Sequence, residues 1–359
     1  MNLKSWFFFS SCLFLIPELA HSQQNIVVLQ KPAKAFILLA ENKQVLNMDF
    51  LVQNRTGDTL TLTKLSLNVF DANDGLVHSR FLDNNGTAPS IALLQDRIFS
   101  DSTAHLIFNP FADFKLSTQL ARLVFVWTFE TNSGKQTTVQ CAVHPVPYVQ
   151  KEHFLFPLAG RVLVYDAHDL YAHHRRFNFE FAPIKALGFS ANFMRYAYDF
   201  VVTDRNGNVH AEGKPDSTHP GWEQPVYAIA AGTVIYAAST HKDDHQFDIP
   251  SLRTDPMALY GNCVAILHKN GAISVYAHLR QNSIRLKKGE KVVSRQQLGT
   301  IGASGSSFFP HLHFELRTSL SHDAEGLPSY FSNLQLVQGA KRVVLKSGHA
   351  ETGDILEAK

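Results

Sequence analysis

The 359-residue sequence has little cysteine, little net charge and no long apolar run beyond its first residues. It contains 3 Cys, 20 Gly and 15 Pro, which excludes the disulfide-scaffold and collagen-like classes. The 33 Lys and Arg against 31 Asp and Glu leave a formal charge of +2, so we expect no nucleic-acid partner. Apolar residues make up 45% of the chain, enough for two domains with sizeable cores. Histidine is abundant, with 18 residues.

The first residues have the pattern of an export signal. Lys4 precedes an apolar stretch from Trp6 to Ile16, and Ala20-His21-Ser22 ends it with a small-x-small pattern suited to cleavage. The stretch is too short to span a bilayer, although an uncut N-terminal anchor helix would have a similar pattern. We therefore predict a signal peptide over residues 1–22. The mature chain is expected to be exported, periplasmic or extracellular, and without a transmembrane segment.

Period-two alternation predicts that the first half of the chain is β-structure. Leu123, Phe125 and Trp127 alternate with other residues, and turn clusters recur about every ten residues. This pattern is typical of an antiparallel sandwich, and we predict an immunoglobulin-like β-sandwich over residues 23–148. The closely spaced prolines of Pro145-Val146-Pro147 favour extended backbone and mark the boundary.

The second half is also predicted to be nearly all strand, which makes the whole protein all-β. A lead-in segment rich in His, Arg and Phe occupies residues 149–190, and an antiparallel β-sheet domain with clear hairpin signals is placed at 191–320. Residues 321–359 form a C-terminal extension. The two cysteines of the mature chain, Cys141 and Cys263, lie in strand-like apolar runs, which favours buried free thiols over a disulfide.

The sharpest local feature is the motif Pro310-His311-Leu312-His313-Phe314. On a strand, residues i and i+2 lie on one face, so both imidazoles are expected to point the same way. Neutral imidazole is a common zinc ligand and a general base near neutral pH. At this histidine content about one His-x-His is expected by chance, so the motif gains weight only from its surroundings.

Three further segments precede this motif in a specific order. They are the run from Arg195 to Phe200, the segment Tyr276-Ala277-His278-Leu279, and the Gly/Ser-rich turn over residues 302–307. Together, from about Asn192 to Leu316, they resemble the lysostaphin-type (LytM-like, β-lytic) zinc endopeptidases. Members of that family cut peptide cross-links in bacterial peptidoglycan, so the resemblance implies a lysostaphin-like peptidase domain, association with the cell wall and a peptidoglycan peptide as substrate.

The resemblance also implies a site for one zinc ion. In that family the ligands are the His and Asp of a His-x-x-x-Asp motif and the second His of His-x-His. Carried onto this chain, Asp199 and His313 become metal ligands, and His278 and His311 become the catalytic pair. The residue four positions before Asp199 is Arg195, whose protonated guanidinium has no lone pair to offer a metal. Catalytic zinc normally has three protein ligands, so a third is missing.

Two possibilities are open for this missing ligand. In the first, a histidine outside the motif supplies the nitrogen, and we place His173 or His174 first because adjacent residues there face opposite ways. Further candidates are His168, His219, His241 and His245. In the second, the site is metal-free and Arg195 occupies the ligand position, for example paired with Asp199.

These possibilities predict two functions. The first is an exported zinc-dependent endopeptidase that hydrolyses peptide bonds in peptidoglycan cross-links. The alternative, which Arg195 favours, is a catalytically degenerate lysostaphin-like domain that binds cell wall or regulates another wall hydrolase. Because His278 and His311 have no evident use in a metal-free protein, the enzyme is our first prediction.

Overall fold

The computed structural model describes residues 25–209 and 213–358. Within these ranges the chain is almost entirely β-structure, with one short α-helix and a few 3-10 turns, so the all-β prediction is confirmed. The predicted signal peptide, residues 1–22, lies outside the described residues. Among the described residues, no helix has the length and apolar character needed to cross a membrane.

The described part of the first half has twelve strands in three sheets. They are β1 (Ile26–Lys31), β2 (Phe36–Leu39), β3 (Lys43–Leu46), β4 (Asp49–Asn54), β5 (Leu60–Phe70), β6 (Leu76–Leu82), β7 (Ile98–Phe99), β8 (Ala104–Phe108), β9 (Asp113–Lys115), β10 (Arg122–Thr131), β11 (Gln136–Val143) and β12 (Val146–Pro147), with a 3-10 turn at Ser90–Leu93. The sheet orders are β1-β4-β8, β11-β10-β5-β6 with β7 beside β5, and β12-β2-β3-β9.

The first two of these sheets enclose a common apolar core. On β10, Leu123, Phe125 and Trp127 are fully buried while the residues between them are partly exposed, as a period of two requires. Phe50 on β4 packs across the core against Phe125 and Trp127, with ring centroids 4.6 and 5.0 Å apart. The two sheets therefore face each other as in a sandwich, and the immunoglobulin-like arrangement stays a prediction.

The second half is built around one large sheet. Its strands and those of two small sheets are β13 (Phe154–Leu155), β14 (Arg161–Asp166), β15 (Tyr198–Val202), β16 (Pro225–Tyr227), β17 (Gly232–Ala238), β18 (Asn262–Leu267), β19 (Ile273–Leu279), β20 (Lys291–Val292), β21 (Gln297–Thr300), β22 (Leu312–Arg317), β23 (Gly326–Leu327), β24 (Phe331–Ser332), β25 (Leu334–Gln338), β26 (Lys341–Val344) and β27 (Ile355–Ala358). The helix α1 is Ala182–Lys185, and 3-10 turns are Asp216–Thr218, Pro250–Arg253 and Pro256–Tyr260.

The large sheet has the order β20-β17-β18-β19-β22-β15-β14-β27-β25-β26, with β23 beside β22. Strand β14, from the predicted lead-in segment, pairs antiparallel with β15. Strand β27, from the predicted C-terminal extension, pairs with the other edge of β14. The segments 149–190 and 321–359 thus contribute strands to the same sheet as residues 191–320. Cys141 and Cys263 are free thiols.

The two halves are joined by a packed interface. The Tyr148 hydroxyl donates to the carbonyl oxygen of Pro328 at 2.7 Å, and the Tyr330 hydroxyl accepts from the backbone N–H of Leu39 at 2.9 Å. The rings of Tyr148 and Tyr330 pack with centroids 5.6 Å apart. Strand β12, at the predicted boundary, pairs in parallel with β2. The first half is therefore held firmly against the second.

A buried histidine in this interface predicts acid sensitivity. His349 packs against the ring of His168 at 4.9 Å, and burial lowers the pKa of His349 to about 4. In the unfolded chain the imidazole of His349 would become protonated near pH 6.5, whereas the folded protein keeps this ring neutral. His349 therefore contributes about 3 kcal/mol to the free energy of unfolding above pH 6.5, and this contribution is lost as the pH falls towards 4.

Denaturant unfolding of the wild type and His349→Gln at pH 7 and pH 4 measures this effect. We expect the wild type to lose more free energy of unfolding than the variant over this pH range, because only the wild type carries the titrating ring. An equal loss in both proteins would contradict the prediction.

Candidate metal centre and active site

Four neighbouring strands place the first site residues in one row across the large sheet. Asp166 at the end of β14 lies opposite Asp199 on β15, and Asp199 lies opposite His313 on β22. His313 in turn lies opposite Ala277 on β19, directly before His278. Antiparallel register therefore brings together side chains that are 114 positions apart in the sequence, as for Asp199 and His313.

The loop between β14 and α1 adds His174 to this row. Its Nε2 lies 3.6 Å from Asp199 Oδ1, and His313 Nδ1 lies 3.1 Å from the same oxygen. One ligand atom from each of these three buried residues lies within 4.8 Å of the others. The adjacent His173 has a side chain that is 61% exposed, and its Nε2 lies 3.9 Å from Asp199 Oδ2. Of the two favoured histidines, His174 is thus the one that points inward.

Acidic partners determine which nitrogen of each buried imidazole carries a hydrogen. His174 Nδ1 lies 2.9 Å from Asp166 Oδ2, and His313 Nε2 faces Glu315 Oε2 at 3.7 Å. Ionised carboxylates only accept hydrogen bonds, so Nδ1 of His174 carries a hydrogen towards Asp166, and Nδ1 of His313 donates to Asp199 at 3.1 Å. The opposite nitrogen of His174, Nε2, then faces Asp199 with its lone pair.

His278 and His311 lie side by side at the edge of this cluster. Their ring centroids are 4.9 Å apart. His278 Nδ1 lies 2.8 Å from the carbonyl oxygen of Ser304, and His311 Nδ1 lies 2.8 Å from that of Phe309, so each Nδ1–H donates. The Nε2 of His278 is left as an acceptor, and that of His311 lies 3.3 Å from Asp199 Oδ1. Burial lowers the pKa of His278 well below its ordinary value, which keeps its ring neutral.

The cluster needs a positive charge between its acceptors. Three imidazole nitrogens converge on one oxygen of Asp199, and lone pairs that face a carboxylate repel it unless a proton or a cation lies between. Burial lowers the pKa of His313, but hydrogen bonds with Asp199 and Glu315 outweigh this and raise it to about 9. A proton on His313 thus serves this purpose when no cation is bound. Two imidazoles and one carboxylate are also a donor set that suits zinc.

A second layer of buried groups supports His313. Tyr260 donates its hydroxyl hydrogen to Glu315 Oε1 at 2.8 Å, and Arg317 Nη1 donates to the same oxygen at 3.1 Å. All three side chains are buried.

Sequence reasoning missed Glu315 and also Asp166. For Glu315 a signal exists, because it is two residues after His313 and shares its face of β22. For Asp166, at the start of a segment without a motif, the sequence gives none.

The remaining candidate histidines lie elsewhere. His168 contacts Asn47 and the hydroxyl of Tyr198, and His245 Nε2 pairs with Asp216 at 2.8 Å. His219 is buried beside the ring of Phe309, and His241 is exposed. None of these four joins the row formed by Asp199 and His313 in the described part of the chain.

Arg195 points away from the row of ligands. Its guanidinium pairs with Asp49 from the first half, and its Nε lies 3.6 Å from Glu325 Oε2. The side chain is fully buried in this arrangement. Arg195 is therefore paired with these two carboxylates rather than with Asp199.

An apolar groove of about 380 Å³ opens beside His311. Its lining includes Tyr165, Phe308 and Phe309, and the Phe308 side chain is 87% exposed. Tyr165 packs edge-on against Phe309 with centroids 5.0 Å apart. Phe309 in turn packs against His311, with ring centroids 5.3 Å apart.

The fold and the site together define a β-sheet protein with a buried His/His/Asp cluster that could hold a metal, beside two further buried histidines. The sequence pattern described as Peptidase family M23 matches residues 218–325. This match includes His278, His311 and His313 and begins after His174 and Asp199. The Lipoprotein NlpD of Yersinia enterocolitica is 30% identical over 94 residues, which are 26% of this chain and 77% of that protein. The chain belongs to peptidase family M23, and the predicted resemblance is confirmed.

Other comparisons concern parts of larger proteins. The Peptidoglycan DD-endopeptidase ShyC of Vibrio cholerae is 31% identical over 133 residues, which are 36% of this chain and 28% of that protein. The chain spans 12% to 28% of the length of four of its curated relatives. The catalytic domain of lysostaphin from Staphylococcus simulans is 20% identical, with a TM-score of 0.26, and the match covers 47% of this chain and 88% of that domain.

Proposed function

We propose that the protein is an exported zinc-dependent endopeptidase that hydrolyses peptide bonds in bacterial peptidoglycan cross-links. The observation that carries the proposal is the convergence of His174 Nε2 and His313 Nδ1 on Asp199 beside His278 and His311. Membership of peptidase family M23 supports hydrolysis of peptide bonds. The similarity to a protein named as a peptidoglycan endopeptidase supports the substrate and an envelope location.

His174, Asp199 and His313 are the residues that would hold the zinc. When bound to such a set, zinc acidifies a water molecule and polarises a carbonyl oxygen. Asp166 keeps the hydrogen of His174 on Nδ1, and Glu315, 3.7 Å from His313 Nε2, would take up the remaining hydrogen of His313 when a metal replaces its Nδ1 proton. Both acidic partners therefore orient the ligand lone pairs, as is usual around metal-bound histidine.

His278 and His311 would move the protons of the reaction. Each has its Nδ1–H engaged by a backbone carbonyl, which directs a basic Nε2 towards the site. One of them accepts the proton of the attacking water, and in its protonated form returns it to the leaving amine. The other enters the reaction with a hydrogen on Nε2 as well as on Nδ1, donates the Nε2 hydrogen bond to the oxygen that becomes negative in the tetrahedral transition state, and keeps this proton throughout. The apolar groove beside His311 is the proposed place for the peptide.

The zinc content of the purified protein and its action on peptidoglycan test the proposal. We expect about one zinc per chain in the wild type and in His173→Ala, but little in His174→Ala, because the His174 ring is buried against Asp199 whereas His173 is mostly exposed. Elemental analysis gives the metal content, and chromatography of digested peptidoglycan gives the cleavage. His173→Ala is the matched control, since it removes an adjacent imidazole that lies mostly in solvent.

A wild type without zinc and without cleavage would contradict this proposal and would favour the degenerate domain predicted as the alternative. Retention of zinc in His174→Ala together with its loss in His173→Ala would show that the ligand set is different.

A further inference from the structure

A buried ionic cluster joins the first half of the chain to the second behind the metal centre. Asp49, on β4, has one carboxylate oxygen 2.7 Å from Arg175 Nη1 and bonds Arg195 Nη1 through the other. All three side chains are fully buried. Removal of one partner from a buried ion cluster is strongly destabilising, because the remaining charges lose their compensation. Asp49 is therefore expected to determine where both guanidinium groups lie.

This cluster is attached directly to the segment that carries His174. Arg175 is the next residue, and its Nη2 donates to the carbonyl oxygen of Met48 at 2.8 Å. On the other side, the Asn192 side-chain amide donates to the carbonyl oxygens of His174 and Arg175 at 3.2 and 3.1 Å. The backbone at residues 174–175 is thus clamped between a strand of the first half and the loop that leads into β15.

Local structure gives this segment little support of its own. It lies in consecutive turns between β14 and α1, where the N–H of Arg176 bonds the carbonyl oxygens of Ala172 and His173. The bonds from the N–H groups of His173 and His174 to Asp166 are long, at 3.3 and 3.4 Å. Short turns outside a helix or strand are seldom rigid by themselves. The position of the His174 ring therefore depends on contacts from outside the segment.

We propose that Asp49 is a positioning residue for the metal centre, and that the first half of the chain thereby completes a site located in the second half. By pairing with Arg175, and together with Glu325 with Arg195, Asp49 fixes the segment that presents His174 to Asp199. The inference rests on the proposed function in one respect, namely that His174 is a zinc ligand. It also gives Arg195 a use, since its side chain helps to anchor the segment that supplies this ligand.

Zinc affinity of full-length variants tests the inference. Asp49→Asn keeps the size of the side chain but removes its charge. We expect zinc to bind it about 10- to 100-fold more weakly than the wild type, as for other residues that orient metal ligands. Competition with a chelator measures the affinity. The absorption spectrum of the Co²⁺-loaded variant should change towards that of His174→Ala, which a loss of general stability would not produce.

Tyr148→Ala is the matched control. It weakens the same interface through the loss of ring packing and of the bond to Pro328, but it does not touch Arg175 or Arg195. With all measurements made where circular dichroism shows folded protein, we expect its zinc affinity to stay within about threefold of the wild type. If Asp49→Asn does not fold, Arg175→Lys serves instead, because it keeps the charge but loses the two-pronged contact.

Unchanged zinc affinity and Co²⁺ spectrum in the folded Asp49→Asn variant, or in Arg175→Lys where it is needed, would overturn the inference alone. An equal loss of affinity in Tyr148→Ala would also overturn it, because the effect would then be general destabilisation. A wild type that binds no zinc would instead contradict the proposed function, and this inference with it.

Discussion

Replacement of either catalytic histidine is expected to abolish most activity and to leave the zinc in place. We expect His278→Ala and His311→Ala each to lower kcat by about 10²- to 10⁴-fold, the usual contribution of a positioned acid or base. The reason is geometric, because each ring presents Nε2 at the site while a backbone carbonyl holds Nδ1. Neither ring is needed for the proposed ligand set, so the metal content should remain near that of the wild type.

Steady-state cleavage of a cross-linked peptide, together with metal analysis of the same samples, checks this expectation. His241→Ala is the control, since this histidine lies in the same half of the chain but is exposed. It should leave both kcat and zinc content unchanged. Full activity in His278→Ala or His311→Ala would contradict the assignment of the pair. Loss of zinc in one of them would show that its ring is a ligand.

The second large effect is expected at Glu315, beneath His313. In Glu315→Gln, Arg317 loses its buried counter-charge and His313 loses one of its two acidic neighbours, the other being Asp199. We expect zinc affinity to fall about 10- to 100-fold. The free energy of unfolding should fall by about 3 kcal/mol, because an unpaired charge is left in the protein interior. Burial raises the pKa of Glu315, but Arg317 and His313 outweigh burial and lower it, so the residue is ionised at neutral pH.

Chelator competition and denaturant unfolding measure the two effects. Glu357→Gln is the matched control, since Glu357 pairs with Arg342 near the surface, with both side chains partly exposed. Its loss is expected to cost less than about 1 kcal/mol and to leave zinc affinity unchanged. If Glu315→Gln behaved like this control, the buried carboxylate would have no role in supporting His313.

Local sequence patterns predicted the fold class and much of the site. Alternation along segments such as Leu123 to Phe129 indicates strands with one buried face, and the structure has strand β10 there with that burial. His313, His278 and Asp199 were found through motifs that recur in a family, and the structure places them next to one another. Such features can be predicted from the sequence because alternation along a strand and short motifs involve residues that are close together in the chain.

The hydrogen-bond and ion-pair partners of the site residues could not be predicted from local sequence patterns. Asp166 supports His174 across a turn with no motif, and Asp49 reaches Arg175 from 126 positions earlier in the chain. Strands β14 and β27, from the segments 149–190 and 321–359, join the large sheet. The sequence analysis had separated these segments from residues 191–320. Contacts between distant parts of the chain depend on how sheets pack, which no local pattern encodes.

By itself the sequence determined that this is an all-β protein, and it pointed to Asp199, His278, His311 and His313 as candidate residues of an M23-type site. Only the tertiary structure distinguished His173 from His174. Adjacent side chains in a turn point in different directions, and here His174 is buried beside Asp199 while His173 is mostly exposed. The anchoring of Arg175 by Asp49 is our proposed reason. The tertiary structure also determined the partner of Arg195, whose charge is buried against the carboxylate of Asp49 from the other half of the chain. A buried charge needs a partner, and only the folded chain shows where that partner lies.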